Sequence, residues 1–303
     1  MTLRVVVASD AVGALDPEQA SVALARGWAD AAQVAVTPLA DGGRHFGAAV
    51  AALLDGDVDE TGDGWTVTAG ETVALGGPGR LGERLSTLLQ ASPRRVILDL
   101  TGCPGPRDLL DEFGPSTGGL ADVDLVAAVP TAEADHKLLG LQGAVVRKGY
   151  EEGRDTADIL AEETAMARWL AGLGVRDAAG AGAVGGAGAV VLALGGRIAG
   201  GTRLCADLAG LERTVAAADL VVTGCTSFDI GTRGGSAVGF VADLATAAER
   251  PCLVFAVDST VSRREMRTFG VEAAYAVGDG PLPDSLTAAA RRVATSWAAA
   301  QAD

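Results

Sequence analysis

Thr37-Pro38-Leu39-Ala40-Asp41-Gly42-Gly43 is the stretch that decides the fold, because it joins an apolar, strand-like segment to a helix-like one. In α/β sheets such a junction, at the carboxyl end of a strand, is where ligands bind. A carboxylate there can hold a metal ion or take a proton, and two glycines let backbone N–H groups come close to a phosphate. Asp41, Gly42 and Gly43 are therefore candidate site residues.

The two ends of the chain have the pattern of a doubly wound, mainly parallel sheet. Asp16-Pro17-Glu18-Gln19 has the residues of a capping box with proline at the first helical position, so it predicts the start of a helix that ends near Ala31. Short apolar runs predict strands that are buried on both faces. These runs are Leu3–Ala8, Val34–Pro38, Leu220–Thr223 and Leu253–Val257.

The middle of the chain has a different pattern. Residues 65–75 alternate between apolar and polar, as antiparallel strands do, and the alternation breaks at Ala69-Gly70. Buried strands are predicted again at 95–100 and 123–129. We therefore predict two α/β domains: a discontinuous Rossmann-like domain formed by residues 1–55 and 172–303, and an inserted mixed α/β domain formed by residues 56–171. A cleft between them is the default place for a ligand.

Composition restricts the partners of the protein. Its 303 residues carry a formal net charge of −15, and lysine occurs only at positions 137 and 148. Nucleic acids and anionic membranes require a basic face, so neither is expected as a partner. The scattered cysteines suggest a reduced cytoplasm without a disulfide framework. We expect a cytoplasmic protein with a small-molecule substrate, and a homo-oligomer is left open.

Two motifs allow more than one interpretation. The segment 180–185 matches G-x-G-x-x-G, but a dinucleotide-binding turn is disfavoured because no strand precedes it. The segment indicates either a flexible helix entry or a helix N-terminus that receives phosphate. Asp10 and Asp41 follow the first two predicted strands and are either loop caps or site residues, and their position at successive strand ends favours a site. Cys225 also follows a strand, but no base is near it in sequence, so a plain small residue is preferred to a nucleophile.

These segments resemble motifs of the type 1 glycerate kinases, in the same order along the chain. The family patterns are A-P-D-S-F-K-G-S, A-D-G-G-E-G, P-G-A-G-A-A-G-G-L-G and L-V-I-T-G-E-G-R-L-D. The similar segments of this chain are Ala8-Ser9-Asp10-Ala11, Ala40-Asp41-Gly42-Gly43-Arg44, Gly180-Ala181-Gly182-Ala183-Val184-Gly185 and Val222-Thr223-Gly224-Cys225-Thr226-Ser227-Phe228-Asp229. Arg147-Lys148-Gly149 is similar to the Q-K-G of the family.

The resemblance implies ATP-dependent phosphorylation of glycerate or a similar small hydroxy acid, with ATP and Mg²⁺ as cofactors. It implies Asp41, Asp10 and Asp229 as catalytic residues and Asp41 as the metal ligand. The residues that it implies for cofactor binding are Gly42, Gly43, Gly182, Gly185, Thr223, Gly224 and Lys148.

Several charged residues of those motifs are replaced in this chain. The lysine of the first loop is absent, and Cys225 and Ser227 stand where the family has a glutamate and an arginine. Phosphoryl transfer depends on fixed positive charge and on the placement of the nucleophile. We therefore expect weak kinase activity, and the alternative is a non-catalytic binding or regulatory protein that retains the fold.

Overall fold

The structure is a computed structural model that describes residues 2–113, 120, 122–277 and 280–300. The chain forms two compact units. The first unit consists of Met1–Ala40, Ala52–Leu54 and Thr202–Asp303, and the second unit consists of Asp41–Ala51 and Asp55–Gly201. Each unit has its own sheet, so each is described by itself.

The strands and helices alternate along most of the chain. The strands are β1 (Leu3–Ser9), β2 (Ala32–Pro38), β3 (Asp57–Thr61), β4 (Gly64–Ala69), β5 (Thr72–Gly76), β6 (Arg95–Asp99), β7 (Asp124–Val129), β8 (Arg197–Gly200), β9 (Leu220–Phe228), β10 (Cys252–Ser259) and β11 (Ala273–Ala276). The helices are α1 (Pro17–Trp28), α2 (Gly43–Leu54), α3 (Leu81–Leu89), α4 (Pro106–Phe113), α5 (Ala144–Glu151), α6 (Thr156–Gly172), α7 (Ala183–Ala193), α8 (Gly201–Ala209), α9 (Leu211–Ala217), α10 (Gly235–Ala247), α11 (Arg263–Thr268) and α12 (Asp284–Ala300).

The sheet of the first unit has the order β11-β10-β9-β1-β2, and all its strand pairs are parallel. The four apolar runs are therefore confirmed as members of one parallel sheet. The predicted burial on both faces is wrong for β2, which is an edge strand with Val36 40% exposed. The connection from β1 leads to β2, whereas the connection from β9 leads to β10 on the other side. The carboxyl ends of β1 and β9 therefore form the topological switch point, where open α/β sheets bind ligands.

Helix α1 begins as its sequence predicts. Asp16 is the N-cap, its side chain accepts a hydrogen bond from the Gln19 N–H, and the Gln19 side chain accepts from the Asp16 N–H. The helix packs against α12, and a Cβ atom at Gly27 would lie only 2.4 Å from that of Ala290. Glycine and alanine at this contact let the two helices approach closely and cover one face of the sheet.

The sheet of the second unit has the order β3-β4-β5-β6-β7-β8. The pairs β3–β4 and β4–β5 are antiparallel, and the remaining pairs are parallel. This confirms the expected change from alternating strands to buried runs. Residues 95–100 and 3–8 lie in different sheets, as the two-domain prediction requires.

The Gly/Ala-rich segment belongs to the second unit, which extends further than residue 171. Strand β8 pairs with β7, and Ala187, Val190 and Val191 of α7 share a buried core with Leu98 and Val129. The predicted boundary at 171/172 ignores this pairing, because the low complexity of the segment hides an apolar helix face. We keep the two-domain division as a proposal, with the boundary moved to Gly201 and with residues 41–51 in the second unit.

Membrane insertion through a helix is not indicated by the part of the chain that the structure describes. No helix there combines the length and the apolar character needed to cross a bilayer.

Candidate active site

A residue of the loop after β7 holds Asp41 of the second unit through two hydrogen bonds. The Thr131 N–H donates to Asp41 Oδ2 at 2.9 Å, and the Thr131 hydroxyl donates to Asp41 Oδ1. Thr131 follows Pro130 and begins a 3-10 turn that ends at Glu133. The Asp41 carboxylate is partly buried, and the two donors fix its orientation. A carboxylate fixed in this way is positioned to accept a proton from a bound hydroxyl group.

Asp99, at the end of β6, is a buried carboxylate that organises the residues after Asp41. Its Oδ2 accepts a 2.7 Å hydrogen bond from the Gly43 N–H, and its Oδ1 accepts a 2.9 Å bond from the Thr101 N–H. Gly42 is packed against the same threonine, since a Cβ atom there would lie 2.0 Å from Thr101 Oγ1. The Asp-Gly-Gly segment thus contacts the carboxyl end of β6 in a fixed conformation that requires glycine at position 42.

The electrostatic state of Asp99 follows from its burial. Desolvation raises the pKa of this carboxyl above its ordinary value, and the nearby charge of Asp41 acts in the same direction. Hydrogen bonds from Thr101 and Gly43 lower the pKa and partly oppose burial. Since the side chain is fully buried, we assign Asp99 a positioning role.

A cavity of about 350 Å³ in the second unit extends from this network, and we call it the Trp65 cavity. Gly43 and Thr101 of the network line it, so the cavity begins at the residues that Asp99 holds. Its other lining residues are Arg44, Glu60, Thr61, Gly62, Gly64, Trp65, Gly77, Pro78 and Gly102.

A second cavity of about 260 Å³ in the same unit contains two of the residues predicted for cofactor binding, and we call it the Lys148 cavity. Lys148, Arg107 and Gly185 line it, together with the acidic side chains of Asp108 and Glu162. Glu162 is already paired with Arg154. Gly185 is exposed, with φ +64° and open space where a Cβ atom would lie.

One loop contributes to both cavities. Thr101 and Gly102 line the Trp65 cavity, and Gly105 and Pro106 line the Lys148 cavity. This segment follows the buried strand β6 and leads into α4, so it lies at the carboxyl end of a parallel strand. Such loops carry the binding groups of α/β proteins.

A carboxylate side chain of the protein accepts a hydrogen bond from the glycine-rich segment at the start of α7. Three successive residues, Val184, Gly185 and Gly186, have left-handed backbone conformations. Successive N–H groups in such turns can form an anion-binding concavity. Here the Glu133 carboxylate accepts a 2.7 Å hydrogen bond from the Val184 N–H.

Gly182 differs from Gly185 although both belong to the same motif. It is buried, and a Cβ atom there would lie 2.2 Å from the Lys137 carbonyl oxygen. Its N–H donates to the His136 carbonyl at 2.9 Å. These contacts give Gly182 a packing role, and its predicted role in cofactor binding remains a prediction.

In the first unit, the structure brings Asp10 close to the last residues of β9. The Gly13 N–H donates to the Thr226 hydroxyl at 2.9 Å, which joins the loop after β1 to the end of β9 at the switch point. Cys225 lies inside β9 and does not follow the strand as predicted, and it is nearly fully buried. Burial, followed by the charges of Asp10 and Asp229, raises the pKa of the Cys225 thiol to about 12. The structure therefore supports the interpretation of Cys225 as a small residue and not as a nucleophile.

Asp229 caps its own loop. Its Oδ1 accepts from the Gly231 and Thr232 N–H groups, both at 2.8 Å, and its Oδ2 accepts from the hydroxyls of Thr232 and Ser227. The Thr232 bonds, foremost its backbone bond, lower the pKa of the Asp229 carboxyl. This carboxylate fixes the turn before α10, and its predicted catalytic role remains a prediction.

Thr223 and Gly224 lie inside the parallel sheet. Thr223 is fully buried, and a Cβ atom at Gly224 would lie 2.8 Å from Ser9 Oγ and 2.9 Å from Val12 Cγ2. Glycine at 224 therefore permits the close approach of β1 and the loop that follows it. The predicted role of both residues in cofactor binding is not tested by these packing contacts.

The largest of the described cavities, about 600 Å³, lies in the first unit between β11 and α12. Tyr275, Arg292 and Trp297 line it with several alanines and a valine. It contains none of the residues that the sequence predicts for a site, so we do not include it.

Among the residues described, no group of three His, Cys, Asp or Glu side chains could hold a metal ion. A Mg²⁺ ion at Asp41 would therefore share its coordination with phosphate oxygens and water, which is the usual arrangement in kinases.

Comparison with known proteins places the chain in a family. A model described as the glycerate kinase family matches residues 117–302, more than half of the chain. The chain belongs to the glycerate kinase family. The predicted resemblance is thereby confirmed.

The relatives of this glycerate kinase family member are of two kinds. An uncharacterized protein of Mycobacterium bovis is 28% identical over an alignment of 329 residues that covers 91% of this chain and 84% of the relative. An uncharacterized protein of Mycobacterium tuberculosis has the same identity and coverage. A crystal structure of a candidate glycerate kinase 2 from Salmonella typhimurium LT2 has a TM-score of 0.76, 20% identity and full coverage of both chains. The α/β fold is thus confirmed as that of a glycerate kinase.

Two residues of this glycerate kinase family member were not singled out in the sequence. Asp99 ends the run Arg95-Val96-Ile97-Leu98-Asp99, and a carboxylate inside a buried apolar run is a signal, because such a residue is seldom buried without partners. Thr131 gives no comparable signal, since its role depends on a contact with a residue 90 positions earlier in the chain.

Proposed function

We propose that the protein is a weak ATP-dependent kinase of glycerate or a similar small hydroxy acid. Membership of the glycerate kinase family supports a kinase-like function. The observation that supports this activity and substrate is that the 101–106 segment lines both the Trp65 cavity and the Lys148 cavity. One cavity contains two cationic side chains, and the other begins beside the loop that follows Asp41.

Lys148, Arg107 and the open Gly185 are suited to hold the phosphates of ATP. Guanidinium and ammonium groups bind phosphate, and a glycine with positive φ exposes its backbone to an oxygen atom. In a chain with a net charge of −15, such a local group of cations is needed to attract a nucleotide. ATP, when bound, supplies the phosphoryl group that is transferred.

Asp41 is the proposed proton acceptor. Transfer forms a bond between the substrate hydroxyl oxygen and phosphorus, breaks the bond to the leaving oxygen of ADP, and releases the hydroxyl proton. Asp41 takes this proton, with Thr131 holding the carboxylate and Asp99 holding the glycines beside it. Asp10 remains a proposed catalytic residue at the carboxyl end of β1.

Glu133 favours the alternative, a non-catalytic binding or regulatory protein. Its carboxylate accepts the Val184 N–H next to Gly185 of the Lys148 cavity, so it adds negative charge where phosphate would bind. The absence of the first-loop lysine has the same effect on nucleotide affinity. These features are the physical basis for expecting weak activity.

The test is ADP release that depends on both D-glycerate and Mg-ATP, with phosphoglycerate detected by ³¹P NMR. We expect slow turnover that Asp41→Asn reduces at least about tenfold, which corresponds to about 1.4 kcal/mol in the barrier. Binding of both compounds without phosphoglycerate would favour the non-catalytic alternative. Turnover unchanged in Asp41→Asn would refute the assignment of the proton acceptor.

A further inference from the structure

The Trp65 cavity has a rigid wall and a floor of closely packed backbone. The Trp65 ring lies between α2 and β5, since Cβ atoms at Gly47 and Gly76 would each lie 2.6 Å from its carbon atoms. A Cβ atom at Gly77 would lie 2.4 Å from the Gly64 Cα, so two loops touch through their backbones. The cavity is therefore preformed by packing, as small-molecule sites usually are.

Arg44 is the cationic side chain among the residues that line this cavity. It follows Gly43, whose N–H is bonded to Asp99, so the first turn of α2 is fixed at the point where Arg44 projects. In the resembling motif a glutamate stands at this position. The exchange of an acid for a base changes the sign of the charge next to the Asp-Gly-Gly segment.

The other polar groups of the cavity include a hydroxyl and a carboxylate. Thr101 supplies a hydroxyl on the side where Asp99 holds its backbone, and the Trp65 ring supplies an apolar surface. Glu60, an exposed residue at the end of β3, is the acidic member of the lining. A planar guanidinium pairs best with a carboxylate, through two parallel hydrogen bonds.

We propose that the Trp65 cavity binds the carboxylate of a small hydroxy acid, with Arg44 as the residue that recognises it. The proposal rests on the proposed function, because it assigns the acid end of the substrate to this cavity and leaves its hydroxyl end near Asp41. Thr101 then contacts the middle of the acid. Glu60 weakens binding, since it adds a like charge to the same cavity.

The test is calorimetric titration of the whole protein with D-glycerate, and with glycerol as the analogue that lacks the carboxylate. We expect D-glycerate to bind and glycerol not to bind. Arg44→Gln should weaken D-glycerate binding at least about tenfold, and Arg44→Lys should restore part of it because the charge returns without the guanidinium fork. Glu60→Gln should strengthen binding about two- to threefold, as expected for removal of a partly screened like charge.

The matched control is Arg94→Gln, which removes an exposed arginine of the same unit that is paired with Glu71. It should leave D-glycerate binding unchanged. The indole N–H signal of Trp65, identified through Trp65→Phe, should shift with D-glycerate in the unmodified protein and not in Arg44→Gln.

The outcomes separate this proposal from the proposed function. Equal D-glycerate affinity in Arg44→Gln and the unmodified protein, or equal binding of glycerol and D-glycerate, would overturn the assignment of the cavity. D-glycerate binding that depends on Arg44 in a protein that does not bind Mg-ATP would support the cavity and contradict the kinase proposal. Mg-ATP binding without any D-glycerate binding would overturn the cavity and leave the nucleotide half of the proposed function in place.

Discussion

Replacing Thr131 by valine tests whether the orientation of Asp41 matters. The change keeps the size and branching of the side chain and removes the hydroxyl that donates to Asp41 Oδ1, while the backbone N–H bond to Oδ2 at 2.9 Å remains. A hydrogen bond to a charged group contributes about 1.5–3 kcal/mol when water is excluded. Because both side chains are partly exposed, water replaces some of this, so we expect a loss of about 1 kcal/mol in the free energy of unfolding.

Urea denaturation measures this loss, and the ADP-release assay measures its effect on turnover. Activity should fall about five- to tenfold, because a carboxylate that loses this donor samples more orientations. Thr131→Ser keeps the hydroxyl and should retain most of the activity. Thr164 lies on an exposed helix face, where its hydroxyl donates to the Leu160 carbonyl. Thr164→Val therefore measures how much a threonine-to-valine exchange changes the free energy of unfolding away from the site. Equal stability and activity in the valine and serine variants at position 131 would refute the role of the hydroxyl.

Three further predictions concern burial. Because the pKa of Asp99 is raised, its contribution to stability is fully present below the ordinary carboxyl pKa and is lost as the pH rises through the folded-state pKa. In urea titrations at successive pH values, the stability advantage of the unmodified protein over Asp99→Asn should therefore shrink between these two pKa values. An advantage that grows with pH would contradict the burial argument. Cys225, with a thiol pKa of about 12, should react with iodoacetamide at pH 8 at least about a hundredfold more slowly in the folded protein than in urea. Mass spectrometry of the labelled peptide measures both rates, and similar rates in the folded protein and in urea would contradict this prediction. Gly224→Ala should destabilise the protein by about 1–3 kcal/mol because its Cβ atom would meet Ser9 Oγ at 2.8 Å. An unchanged urea midpoint would show that β1 can shift without a loss in the free energy of unfolding.

Local sequence signals predict much of the fold. The capping box at Asp16 and Gln19 places the start of α1 correctly. Apolar runs predict parallel strands because both faces of such strands are buried. These features depend on neighbours in sequence, so the chain alone carries the information.

Contacts between segments that are distant in sequence are harder to predict from the sequence. The extent of the second unit depends on the pairing of β8 with β7, and the four residues Arg197–Gly200 are too few to show a strand pattern in the sequence. The candidate site shows the same limit. The Asp-Gly-Gly motif marks Asp41, and the apolar run that ends at Asp99 marks a buried carboxylate. The contacts of Asp41 with Thr131 and of Asp99 with Gly43 depend on the fold.

The short segment from Thr101 to Pro106 also constrains how this protein can change. Because it forms part of the wall of both cavities, an insertion, a deletion or an exchanged residue there alters both cavities together. Under the proposed function, such a change affects acid recognition and phosphate recognition at the same time. A new substrate preference that evolves through this segment therefore brings a change in nucleotide affinity with it. Substitutions at Arg44 or Glu60 avoid that coupling, so they are the positions at which acid preference can be changed with the phosphate side kept constant.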